Sequence, residues 1–152
     1  MAVTYLGNQS LLSLPKTAFL ASSTVPVEMV LAVYDWAVKM RDEGRCIISG
    51  FSSKLEKDVW DFLVSGHQPI ILVLAREMYH KIPEDLQLLL DNNRLLIIST
   101  CGSPRQSKAT ALGRNKYICE QAHDILFVGV TEQSSLYPLN QQYENKMIPL
   151  EK

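Results

Sequence analysis

Cys46-Ile47-Ile48-Ser49-Gly50-Phe51-Ser52-Ser53-Lys54 is a short apolar run that ends in small and polar residues. A segment with helical spacing of its apolar residues follows, from about Leu55 to Val64. This is the layout of a buried strand, a tight turn and a helix start. The first N–H groups of a helix have no partner within it, and the local dipole is positive, so such a unit can hold an anion. Gly50 permits the turn, Ser52 and Ser53 offer hydroxyls, and Lys54 offers a charge. The same pattern also describes an ordinary strand-to-helix connection closed by a capping serine. Both readings stand at this point.

Outward from this unit the pattern repeats. Upstream, Val3 to Leu6 reads as a short strand within an N-terminal arm of residues 1–15. Thr17-Ala-Phe-Leu-Ala21 is apolar on both faces, as a sheet covered by helices requires. From Val27 to about Asp42 the apolar period becomes helical, with Val30, Val33, Ala37 and Met40 in register and Gly44 as a stop. Arg45 to Ser49 is the next strand. Downstream come a strand over Pro69–Ala75, a helix over 84–92, and a strand over Arg94–Thr100. A helix over about Lys108–Ala122, weakened near Gly113, precedes a strand over Asp124–Val130. In the tail of residues 137–152, Pro138 to Glu144 reads as a short helix and Lys146 to Pro149 as a marginal edge strand.

Alternation of fully apolar strands with helices predicts an α/β fold: a three-layer Rossmann-like sandwich with a mostly parallel sheet of five or six strands. At 152 residues the expectation is a single domain. In that architecture ligands sit beyond the C-terminal strand ends. The loops beginning at Ser22, Gly50, Ala75, Cys101 and Thr131 form that rim.

The formal charge is −1, from 15 Lys and Arg against 16 Asp and Glu, well below the basicity of a dedicated nucleic-acid binder. This balance favours a small ligand, a protein partner, or modest polynucleotide binding aided by oligomerisation. No run of 18 apolar residues and no secretory leader pattern are read, and three widely spaced cysteines suit a reduced cytoplasmic protein without membrane association. Neither G-x-G-x-x-G nor G-x-x-x-x-G-K-[ST] occurs, nor HExxH, nor G-x-S-x-G. No cofactor, metal or catalytic residue is therefore expected. His67, His80 and His123 are scattered, Glu56 and Asp58 do not share a helix face, and Asp58 and Asp61 suit a solvated face better than an acid–base pair.

A second candidate region follows the strand over 94–100. Gly102, Arg105 and Lys108 lie around the turn, and Arg114, Asn115 and Lys116 lie on the helix after it. Arg114 offers a rigid fork for phosphate or carboxylate, and Asn115 both donates and accepts. The expectation is that this loop approaches the Gly50 loop, so that two half-sites face one ligand. The alternative is a solvated basic helix with an Arg–Glu bridge.

Over about residues 16–136 the chain resembles the DprA/Smf DNA-processing family, within the Rossmann-like nucleotide-ligand domains grouped as the SLOG superfamily. Phe19-Leu-Ala-Ser-Ser23 stands where that family has its first strand and a G-S-R turn. Cys46-Ile-Ile-Ser-Gly-Phe51 resembles I-V-S-G-L, and Leu86 to Ser99 resembles the helix and strand ahead of the family's basic loop. Arg114-Asn-Lys-Tyr-Ile118 with Asp124-Ile-Leu-Phe-Val128 resembles R-N-R-I-I and its following strand, and Gln133-Ser-Ser-Leu136 echoes S-G-S-L. The chain departs from the pattern at Ser23 for arginine, Lys54 for glycine, Glu56 for aspartate and Trp60 for histidine.

The resemblance implies a non-catalytic domain that binds single-stranded DNA or a phosphate-bearing nucleotide, works as a homodimer, and has Ser22, Ser23, Gly50, Lys54, Arg114, Asn115 and Lys116 on its binding rim. Two alternatives are a degenerate protein-interaction module, using the apolar tail residues Tyr137, Leu139, Tyr143, Met147 and Ile148, and a nucleotide or phosphoribosyl hydrolase using Glu56, Asp58 or Arg114.

Overall fold

The computed structural model describes residues 3–150. Six strands, β1 Thr4–Gly7, β2 Lys16–Ala21, β3 Cys46–Ser49, β4 Ile70–Leu74, β5 Leu95–Ser99 and β6 Asp124–Val128, form one sheet of order β1-β5-β4-β3-β2-β6. Only β1 runs antiparallel, paired with β5 from Thr4↔Ser99 to Gly7↔Leu96. The other four pairings are parallel.

Side chains on a strand alternate between faces, and here both faces are covered. Phe19, Ile47, Ile70, Leu72, Ile97 and Leu126 pack beneath α1 Val27–Glu43, α2 Lys54–Val64 and α3 Glu84–Asp91. Leu20, Ile48, Ile71, Val73, Leu96 and Ile125 pack beneath α4 Lys108–Gln121 and α5 Tyr137–Gln142, with Leu11 from a 3-10 turn over Gln9–Ser13. The result is the expected three-layer α/β sandwich with a mixed, mostly parallel sheet of six strands. Among the described residues no helix is long and apolar enough to cross a membrane.

Three helix boundaries have a clear local cause. Gly44 takes φ +77 and donates to Met40 and Arg41 carbonyls, closing α1. Ser53 and Ser107 cap α2 and α4 with their hydroxyls. α4 runs unbroken through Gly113, where weakening was expected, because its start is fixed by a reciprocal Ser107–Thr110 box and its face by buried Ile118 and Cys119. The edge strand expected over 146–149 reduces to one parallel bridge, Ile125↔Met147, with Ile148 N–H donating to the Ile125 carbonyl at 2.9 Å. Pro149 lacks the donor to extend it. The tail's Leu139 is buried, and Tyr143 and Ile148 pack on the two cores, so these side chains complete the sandwich.

The order of the parallel strands positions the site. The chain steps from β2 through β3 and β4 to β5 in one direction, then returns through α4 to place β6 on the far side of β2. The loop after β2 leads to one helical layer, and the loop after β6 leads to the other. Their divergence opens a crevice at the C-terminal edge, between β2 and β6.

Candidate functional site

Glu56 occupies the third position of α2, where a capping box places its carboxylate over the helix start. It is 5% exposed. One oxygen accepts from the backbone N–H of Ser52 at 2.9 Å and of Ser53 at 3.3 Å, and the other from Ala21 N–H at 3.0 Å. The helix start that reads as an anion site thus holds an anion from its own chain, and that anion ties the end of β2 to the turn after β3.

Arg114 closes the same turn from the opposite layer. It is 3% exposed. Its Nη2 donates to Ser52 Oγ at 3.1 Å and its Nε to Asn115 Oδ1 at 2.7 Å. Burial pulls the guanidinium below its ordinary pKa, and the nearby Glu56 carboxylate opposes that shift. A Cβ at Gly50 would overlap the guanidinium, so the glycine is needed for this close approach. Phe51 beyond it takes φ +48, rare for a bulky residue, and its N–H donates to Ser49 Oγ at 3.1 Å.

Gly50, Ser52, Ser53, Arg114 and Asn115 are therefore brought together, by contacts directed into the protein. Gly102, Arg105 and Lys116 are not part of this group. The loop after β5 is displaced from the turn after β3 by two strand spacings, roughly 10 Å, because β4 lies between them. It binds its neighbour instead, through Glu77 N–H to the Ser103 carbonyl at 2.7 Å. Gly102 and Arg105 are exposed. Lys116, two residues beyond the inward Arg114, is exposed on α4. α4, rather than the loop over 101–105, reaches the Gly50 turn.

Ser22, Ser23 and Lys54 form a second group. They line a hollow of about 230 Å³ between α1 and α2, with Tyr34 and Asp58. The Lys54 side chain is 87% exposed and lies 3.5 Å from the Asp58 carboxylate, whose other oxygen accepts from Tyr34 Oη at 2.7 Å. That bond holds the Tyr34 proton and raises its pKa.

Ser22 and Ser23 also border a crevice of about 750 Å³ at the C-terminal edge of the sheet, between β2 and β6. Across it stand Gly129, Thr131, Gln133, Ser134 and Ser135. Gly129 takes φ +70, and a Cβ there would come within 2.9 Å of Val25 and 3.0 Å of the Thr24 carbonyl. The glycine lets the loop after β6 leave its strand close against the loop after β2. The lining is rich in hydroxyls and carries no ionised side chain. Ser134 Oγ bonds Ser22 Oγ at 3.3 Å and accepts from Leu136 N–H at 3.2 Å, while Ser23, Thr24, Thr131, Gln133 and Ser135 are exposed.

The loop starting at Thr131 belongs to the sequence-derived rim and Gln133-Ser-Ser-Leu136 carries part of the resemblance, but neither signal marks Gly129, Gln133 or Ser134 as site residues. They become neighbours of Ser22 only once β6 is placed beside β2. The Glu56 contact was legible, since Ser53-Lys54-Leu55-Glu56 is the S-x-x-E signature of a capping box. Glu56, Asp58 and Arg114, the groups considered for hydrolysis, are all engaged in these internal contacts. Among the described residues no group of three or more His, Cys, Asp or Glu is arranged to hold a metal.

An open α/β sheet with a crevice where strand order reverses defines a Rossmann-like architecture. Within that class the fold is DprA-like. DNA processing protein A (DprA) from Streptococcus pneumoniae superposes with a TM-score of 0.75 at 19% identity, over 97% of this chain and 54% of that one. The DprA of Helicobacter pylori, whose structure concerns its single-stranded DNA binding mode, superposes with a TM-score of 0.74 at 16% identity, over 95% of this chain and 69% of that one. The molybdenum cofactor carrier protein of Chlamydomonas reinhardtii is a looser match, with a TM-score of 0.54 at 12% identity over 88% and 73% of the two chains. No family model and no curated protein match in sequence. At these identities the likeness is one of fold, and the chain spans about half the length of the S. pneumoniae protein.

Proposed function

We propose that this chain is a non-catalytic binder of nucleic acid or nucleotide, taking a phosphate-bearing ligand into the crevice between the loops after β2 and β6. The observation that carries this reading is the 750 Å³ opening at the reversal of strand order, lined by Ser22, Ser23, Thr131 and Ser134, with Lys54 on the adjoining hollow that shares Ser22 and Ser23. Hydroxyls and a glycine backbone admit a phosphate closely, and an exposed lysine adds charge without fixing orientation. The DprA-like fold, and the single-stranded DNA bound by the H. pylori protein, favour a single strand as the polynucleotide form of the ligand.

The test is the affinity of the folded protein for a short single-stranded DNA across a salt series, read by fluorescence anisotropy. Affinity falls as salt rises, and Lys54→Ala flattens the dependence of log K on log salt by about 0.7, the contribution of one phosphate contact on a single strand. Absence of binding at low salt, with the fold intact by circular dichroism, removes the polynucleotide reading. Competition by a nucleoside monophosphate then tells whether the crevice takes the free nucleotide.

A further inference from the structure

The other flank of α2 carries a hollow of a different character. Phe51, Trp60 and Tyr79 line it, Leu74 at the end of β4 lies deeper, and Lys57 and Asp85 are exposed beside it. Its volume is about 240 Å³. It shares Gly50 with the turn after β3, so it opens at the same edge of the sheet as the crevice and the Lys54 hollow.

Three observations distinguish it from a packing gap between α2 and α3. Trp60 and Tyr79 are only half-buried, although each borders an apolar interior. Phe51 is held in the left-handed region at φ +48 and meets the Trp60 ring edge-on, with ring centres 5.0 Å apart and planes at 65°. A costly backbone conformation persists only where surrounding contacts fix it, and here it sets the angle of the aromatic wall. Finally, the Arg76 guanidinium lies 5.3 Å from the Tyr79 ring centre and backs that ring. An aromatic wall, with a cation and a carboxylate at the opening, suits a planar ring with polar edges.

We propose that this hollow receives one nucleobase of the bound ligand, stacked against Trp60 and Tyr79, while Lys57 and Asp85 meet the polar edge of that base. The proposal rests on the reading of the crevice as a phosphate-binding site and adds a base-binding site beside it. Lys54 and Lys57 lie three residues apart on α2, one bordering each hollow. A strand crossing the start of α2 keeps a phosphate near Lys54 and turns a base into the aromatic hollow, where Lys57 stands. The Ser52 and Ser53 amides, held by Glu56, take no part in this contact.

The experiment uses three probes with the full chain: a mixed-sequence single-stranded oligonucleotide, an abasic deoxyribose-phosphate strand of the same length, and adenosine, which has no phosphate. The wild type binds the base-bearing strand roughly tenfold more tightly than the abasic one, within the range that stacking of one base on an aromatic ring produces. Tyr79→Ala abolishes that preference and leaves abasic binding unchanged. Trp60→Leu does the same where it folds, and removes quenching of tryptophan fluorescence by adenosine. Equal affinity of the wild type for both strands, or a preference that survives Tyr79→Ala, overturns the base site while leaving the phosphate site in place. Adenosine binding that Tyr79→Ala removes, with no affinity for either strand, overturns the phosphate reading and retains the hollow as a base site. Failure of all three probes to bind overturns both.

Discussion

The turn after β3 and the crevice between β2 and β6 sit on one edge of one sheet, yet they use their polar groups in opposite ways. In the turn every strong group faces inward. The Glu56 carboxylate accepts from three backbone N–H groups, and the Arg114 guanidinium donates to a serine hydroxyl and an amide oxygen. In the crevice the polar groups are uncharged hydroxyls and amides, and most are exposed. Charge at a strand end is therefore no sign by itself of a ligand site. A helix start binds whichever anion reaches it, and a carboxylate on its own third residue is always within reach. The consequence is a division of labour: the charged turn seals one part of the edge, and the crevice leaves its hydroxyls and amides exposed for the ligand proposed above.

Removing the seal is the most severe way to break this contrast. Glu56→Ala leaves the N–H groups of Ala21, Ser52 and Ser53 without their acceptor and deprives buried Arg114 of the nearby negative charge. Loss of one member of a buried charged network costs about 3–5 kcal/mol. The expected result is that loss in urea unfolding, with an unchanged dependence on denaturant. A loss below about 1 kcal/mol, the size of an ordinary surface or single-bond change, would mean the turn is not a structural seal.

Gly50→Ala tests the same turn more gently. The added Cβ meets the Arg114 guanidinium, and forcing an atom into a filled site costs about 1–3 kcal/mol. Because the clash is with one named side chain, the effect is coupled to it. In an Arg114→Met background the glycine substitution costs less than it does alone, by an interaction energy of about 0.5–3 kcal/mol. Strict additivity in a double-mutant cycle would place the strain elsewhere in the backbone.

The two regions also differ in how far the sequence reveals them. The strands are legible because Phe19-Leu20 and Ile70-Ile71 are apolar without alternation, which only a sheet covered on both faces accommodates. The turn after β3 is legible as a unit, and its serine and glutamate spacing carries the capping box. Arg114 is harder. It sits among Lys108, Asn115 and Lys116 on a helix of mixed polarity, and the local pattern cannot say that one of these positions faces Gly50 through the adjoining layer. The crevice is hardest. Ser22 and Ser134 are 112 residues apart, and their meeting depends on β6 lying beside β2. Strand order arises from the packing of the whole sheet, which is also why the sixth strand comes from β1, antiparallel on β5, while the tail contributes only a bridge.

The smallest expected effect on stability tests the crevice itself. Ser23 is exposed on the border of both the crevice and the Lys54 hollow. Its neighbour Ser22 is restrained by a hydroxyl bond to Ser134 and by its N–H to the Val128 carbonyl at 2.9 Å. Ser23→Ala therefore changes unfolding stability by no more than about 0.5 kcal/mol. The same substitution weakens the oligonucleotide affinity by about 1 kcal/mol, the net worth of one hydrogen bond to the ligand. This split is what separates a ligand-facing group from a scaffold group. A Ser23 variant that loses stability on the scale of Gly50→Ala while binding unchanged would put the loop after β2 with the sealed turn, and leave the crevice without its proposed donor.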